Sequence, residues 1–71
     1  MPVRTYKLIQ LVGISDKGFD EASRNAVKQA SKSLRNVSWF EVVEQRGKVK
    51  DGKVVEYQVK LNVAFKLEGS D

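Results

Sequence analysis

The sequence predicts an α+β fold with its elements in the order β-α-β-β, and three observations predict it. Near the C-terminal end, Val55, Tyr57, Val59, Leu61, Val63, Phe65 and Leu67 recur at every second position. Seven apolar residues at period two describe a long strand with one buried and one polar face. Earlier in the chain, Phe19, Ala22, Ser23, Ala26, Val27, Ala30 and Leu34 recur at spacings of three and four. That is the stripe of an amphipathic helix. Between these signals stands "KDGK" at 50–53, and Asp-Gly is a favoured two-residue hairpin turn.

The elements follow in order. The stretch "VRTYKLIQLVG" at 3–13 is rich in Val, Ile, Leu and Tyr and stops at Gly13, so it reads as a first strand. Its alternation is imperfect, which leaves its inward face open. "ISDKG" then offers Ser15 or Asp16 as the N-cap of the helix. Most of the helical stripe is alanine and serine, so this helix can lie close to its support. Arg24, Lys28, Lys32 and Arg35 fall mostly on its other faces. Residues 37–50 form a second strand, joined by the Asp51-Gly52 turn to the third.

Seventy-one residues predict one domain, 1–71, of marginal stability, because a chain this short buries only about 60% of its unfolded surface. Disulfides, a structural metal or oligomerisation usually compensate. There is no cysteine and no histidine, so self-association is the favoured route. No apolar run approaches the ~18 residues that span a membrane, and the N-terminal residues carry no signal-peptide pattern. The expected setting is cytoplasmic. A net charge of +4 suits nucleic acid or phosphate-bearing small molecules, but also an ordinary basic surface.

A two-residue turn at Asp51-Gly52 pairs residue i of the second strand with about 103 − i of the third. Phe40 then lies opposite Val63, and Val42 opposite Leu61, on the face covered by the helix. Phe40 is the expected core aromatic. Trp39 lies opposite Ala64 on the far face, beside Glu41, Val43 and Lys66. An exposed indole on a sheet face is an interface or a ligand residue, since its apolar area otherwise stays in water. Gln58 shares that face, opposite Gln45, but stands six residues along the third strand from Ala64. At about 3.3 Å per residue this is roughly 20 Å. One flat ligand touches both only if they come from different chains.

"WFEVVEQRG" and "EYQVKLNVAFKLEG", preceded by "LVGISDKGFDEASRNAVKQASKSLRNVSW", resemble the dodecins, small flavin-binding proteins, over about Val3 to Gly69. The resemblance implies a three-stranded antiparallel sheet partly wrapping one helix. It implies a hollow homo-oligomer of twelve subunits with flavins in stacked pairs at interfaces. Trp39 matches the family's stacking tryptophan, and Gln58 the glutamine that meets the flavin from a related subunit. Arg46-Gly47 matches an arginine before glycine in bacterial members that bind FMN. Lys7 and Lys66 add charge for the phosphate, and Ser38 adjoins Trp39 at the ligand corner. Some relatives also bind coenzyme A, whose phosphates would fall to Lys28, Lys32 and Arg35. By strand parity Arg46 points away from Trp39, so a bulge or twist near Gly47, or a neighbouring subunit, must bring it to the phosphate.

These residue types suit the chemistry. An indole offers a π surface for a flat ring, an amide offers donor and acceptor together, and a guanidinium forks onto phosphate. The expected function is FMN storage and photoprotection, with riboflavin and FAD as related candidates. No catalytic constellation is nominated: no His, no Cys and no Gly-rich phosphate loop before the helix. The alternative is a basic sheet binding single-stranded nucleic acid. It fits less well, because one exposed aromatic is expected here where such sheets generally show two or three.

Overall fold

The computed structural model describes residues 3–69. Its elements are β1 (Tyr6–Ser15), α1 (Phe19–Ser33), β2 (Val37–Lys50) and β3 (Lys53–Lys66). The last strand in sequence is the middle one in space: the sheet order is β1-β3-β2, and both neighbours run antiparallel to β3. The predicted order and hairpin hold. Asp51 and Gly52 both take positive φ, 53° and 76°, which is what a two-residue turn matched to strand twist requires.

The helix lies mainly over β1 and β3 and only lightly over β2. Ala22, Ala26 and Ala30 meet Val59, Leu61 and Val63, and the last three are fully buried. Each fully buried side chain of this size contributes roughly 1.5–3 kcal/mol. Phe19 closes the N-terminal end of the helix against Tyr57, edge to face at 5.0 Å.

Three boundaries differ from expectation. The first strand begins at Tyr6 rather than Val3 and runs through Gly13 to Ser15. Gly13 is therefore not a stop. A Cβ there would fall 2.0 Å from the Ala22 carbonyl oxygen and 2.9 Å from the Ala26 Cβ, so glycine is what lets helix backbone rest on the strand. The helix N-cap is Gly18, without a side-chain cap, rather than Ser15 or Asp16. The Ser15 hydroxyl instead accepts from the Lys17 and Gly18 amides (2.9 and 3.4 Å) and donates to Glu21 at 2.6 Å. It ties the turn to the first helical turn. Leu67 lies just beyond β3.

Phe40 departs most from its expected role. It does face the helix side, paired with Val63, yet it is 47% exposed. The helix stops short of β2, leaving an apolar recess of about 520 Å³ lined by Ser23, Arg24, Val27, Lys28, Phe40 and Val42. β1 pairs with β3 only from Tyr57 onward, so the hairpin beyond it is a bare two-stranded ribbon. Val49 and Val54 on that ribbon are 63% and 52% exposed. Isolated ribbons are marginal in water, and exposed edges invite pairing.

The close approach at Gly13 gives a direct test. Gly13→Ala should destabilise the protein by at least about 2 kcal/mol, because the clash is with backbone. Gly52→Ala meets open space and should cost about 1 kcal/mol from its positive φ alone. Thermal melts at matched protein concentration check the order.

Candidate functional site

Register decides which side chains share the face turned away from the helix. Near the turn the pairs are Lys50 with Lys53 and Val49 with Val54; near the strand starts they are Trp39 with Ala64, Phe40 with Val63 and Val42 with Leu61. All of these obey the simple hairpin rule. The middle does not: Arg46 pairs with Gln58, Gln45 with Val59 and Glu44 with Lys60. Two irregularities frame the middle section, one between Lys48 and Val49 and one between Val42 and Glu44. Val55 is the extra residue at the first and Val43 at the second. Each inserts one residue, on opposite strands, so they cancel.

The expected partner of Gln58, Gln45, is thus on the helix side, and Arg46 takes its place. Val43, expected beside Trp39, is the bulge residue itself. One of the two irregularities lies close to Gly47, where one was expected, and the other, at Val43, falls between Trp39 and Arg46; with both in place Arg46 joins Trp39, Glu41 and Glu44 on the far face within one chain. A third irregularity, between Val37 and Trp39, makes Ser38 the extra residue. Its hydroxyl donates to the Asn36 carbonyl oxygen at 3.0 Å. That bond steadies the chain as it enters β2 immediately before the indole.

Trp39 is 46% exposed and stands over Ala64, which is fully buried. The Tyr6 ring packs against the indole at 4.8 Å with a 50° tilt, which supports the indole while nearly half of the residue stays exposed. Leu8, Val12 and Ile14 of β1, each about half exposed, pair with Ala64, Lys60 and Gln58 and continue the apolar surface along the same face.

At the other end the polar groups form a chain. Arg46 Nε donates to Gln58 Oε1 at 2.6 Å, and Gln58 Nε2 donates to Glu56 Oε2 at 2.6 Å. Beside them Lys60 pairs with Glu44 at 3.7 Å. Val12, Glu44, Arg46, Gln58 and Lys60 line one small recess. Glu56 and Glu44 were not singled out from the sequence. Only the alternation placing Glu56 two residues before Gln58 on one strand face hinted at the first, and the bulge at Val43 hid the second.

Other expected site residues scatter. Lys66 is on the Trp39 face, paired with Tyr6. Lys7 pairs with Phe65 and lies on the opposite, helix-side face. Lys28 lines the recess between helix and β2, while Arg35 pairs with Glu68 at 3.4 Å and shares a separate recess with Lys66. Lys32 lies in the last helical turn. Within one chain these three cations do not converge. Among the described residues no group of His, Cys, Asp and Glu is arranged to hold a metal, and no helix is long and apolar enough to cross a membrane.

The Dodecin family model matches residues 5–68. The chain belongs to the dodecin family. Dodecin from Thermus thermophilus is 46% identical over 65 residues, covering 92% of this chain and 94% of that one. The structure of dodecin from Streptomyces coelicolor superposes with a TM-score of 0.89 at 48% identity, covering 94% of this chain and 96% of that one. Calcium dodecin from Mycobacterium tuberculosis is 32% identical over 62 residues, 87% of each chain. For Thermus dodecin, crystal structures exist with a tryptophan replaced by phenylalanine and with each of two arginines replaced by alanine. Dodecins are small flavin-binding proteins that assemble as dodecamers.

The Arg46–Gln58 contact is testable without any ligand. A thermodynamic cycle over Arg46→Ala and Gln58→Ala should give a coupling of about 0.5–1 kcal/mol, modest because the pair is solvent-accessible. Chemical denaturation of the four proteins measures it.

Proposed function

We propose that this dodecin stores FMN and protects it from light, holding flavins in stacked pairs at its subunit interfaces. The observation that carries the reading is the half-exposed Trp39 indole, beside Tyr6 on a face that no element among the described residues covers. Such a surface is suited to a flat aromatic ligand, and offset stacking on it adds to plain area burial.

The remaining residues fit the other parts of the ligand. Gln58 has a second lone pair on Oε1 and a second hydrogen on Nε2, which suit the N–H and carbonyl edge of the flavin pyrimidine. Arg46 uses Nε for Gln58, which leaves its terminal fork for phosphate. The bulge at Val43 supports this role by setting Arg46 on the Trp39 face. Lys66 adds charge near the indole end, whereas Lys7, on the other face, is a weaker candidate. The two arginines and the tryptophan altered in Thermus dodecin follow one another at intervals of seven and twenty residues. Trp39, Arg46 and Lys66 repeat that spacing here. The separation between Trp39 and Gln58 still holds in this register: their partners Ala64 and Gln58 are six residues apart on β3, roughly 20 Å. A ligand touching both therefore bridges two subunits.

Trp39 quenches by donating an electron to the photoexcited ring, and rapid return of that electron restores the ground state. Enclosing paired rings between indoles also keeps out dioxygen and bulky redox partners, which favours storage over turnover. Net positive charge and the Arg46 fork favour a phosphorylated flavin over riboflavin. Coenzyme A is a secondary candidate for Lys28, Lys32 and Arg35, and requires a neighbouring subunit to bring those cations together.

Titrating flavin-free protein into FMN should give deep, saturable loss of flavin fluorescence. Trp39→Ala should abolish most of that quenching while leaving the assembly size unchanged. Arg46→Ala should weaken FMN about tenfold more than riboflavin, the worth of a charge-assisted pair to phosphate. Unchanged FMN fluorescence with a fully assembled native protein would sink the proposal.

A further inference from the structure

Gln58 does not sit free on the sheet. It is the middle member of a three-residue chain on one face, between Arg46 across the strand pair and Glu56 two residues earlier on its own strand. The two ends have opposite hydrogen-bonding characters. A guanidinium only donates hydrogen bonds, and an ionised carboxylate only accepts them. The carboxamide between them therefore has one allowed orientation, with oxygen toward Arg46 and nitrogen toward Glu56. Reversing it would set Nε2 against a donor and Oε1 against an acceptor, losing both bonds.

We propose that Glu56 is a positioning residue for ligand recognition, fixing with Arg46 the direction in which the Gln58 amide presents its remaining acceptor and donor. The inference rests on the flavin reading above and extends it to a residue outside the stacking and phosphate contacts. Each end of the chain has its own task. Arg46 holds the oxygen and turns its terminal fork to an anion. Glu56 holds the nitrogen and balances the guanidinium charge when no anion is present.

The geometry accommodates an acidic residue beside a site for a phosphorylated ligand, where a bare negative charge is otherwise unfavourable. The carboxylate lies on the far side of Gln58 from Arg46 along the hydrogen-bond chain, so the amide separates it from the fork. A glutamine with no such anchor would spend rotamer entropy on each binding event, and a half-buried amide would lose a partner whenever it turned. Pre-ordering moves that cost to folding.

The ligand property read by a fixed amide is an imide-type N–H beside a carbonyl. The test is therefore a ratio of affinities for riboflavin and for its N3-methylated analogue, which stacks equally well but has lost the N–H. Neither carries phosphate, so the Arg46 fork drops out. The assembled native protein should prefer riboflavin by about tenfold or more, the value of one well-placed hydrogen bond in an enclosed site. Glu56→Ala leaves Arg46 as the one anchor of the amide and should lower that preference at least about threefold, with the twelve-subunit size retained. Glu56→Gln keeps a neutral acceptor and should give an intermediate ratio; it is read alone should Glu56→Ala fail to assemble. A native-like ratio in the assembled variants overturns the positioning role. Equal affinities in the native protein overturn it too, while leaving flavin storage intact. Failure of the native protein to bind riboflavin or FMN at all instead rejects the storage reading on which the inference stands.

Discussion

A fifteen-residue helix cannot cover strands of fourteen residues, and most of this molecule follows from that mismatch. At about 1.5 Å per residue the helix spans roughly 22 Å, whereas strands of this length run to about 46 Å. The helix backs one face of β1 and β3, and its alanine stripe and Gly13 let it lie against them with few large side chains. What it leaves open is extensive: the Phe40–Val42 recess, the hairpin beyond Tyr57, and the whole opposite face with Trp39, Leu8, Val12 and Ile14. A 71-residue chain with that much apolar surface in water completes its core with copies of itself. In the proposed reading, assembly into a shell and formation of the ligand site are one requirement.

The second organising feature is the pair of opposed bulges at Val43 and Val55. They leave the ends of the hairpin in simple register, so the Phe40–Val63 and Val42–Leu61 packing is untouched, but they turn the section between them by one residue. That turn converts Arg46 from a helix-side cation into the neighbour of Gln58. A bulge that re-aims one side chain next to a binding surface is a recurring use of the device. Here its consequence is electrostatic, because it builds the Arg46–Gln58–Glu56 chain on the face that carries the indole.

This also marks how far the sequence can be read. The helix stripe, the Asp51-Gly52 turn and the alternation of β3 are local patterns with strong physical causes, and they placed every element and set Trp39 opposite Ala64. Gly13 read as a stop because a glycine that ends a strand and one that admits a helix backbone look alike until the helix is in place. Phe40 read as core because alternation gives the face of a residue and not how far the covering helix extends. Arg46 was put on the wrong face because nothing in "EVVEQRGK" marks which residue is extra; a bulge is settled by cross-strand packing. Glu56 went unnoticed for a different reason: its place two residues before Gln58 is plain from the alternation, but the three-residue chain it completes also needs Arg46, which only the corrected register sets beside Gln58.

The central claim is that Trp39 and Gln58 serve one ligand from two different subunits. Co-assembling Trp39→Ala chains with Gln58→Ala chains, and measuring FMN binding and quenching against each pure variant, tests it most directly. With random mixing about a quarter of the sites should regain a native pair and quench FMN as the unmodified protein does, because each site draws its two residues from separate chains of a symmetric assembly. Mixed assemblies no better than the average of the two pure variants would contradict the claim and place both contacts within a single chain.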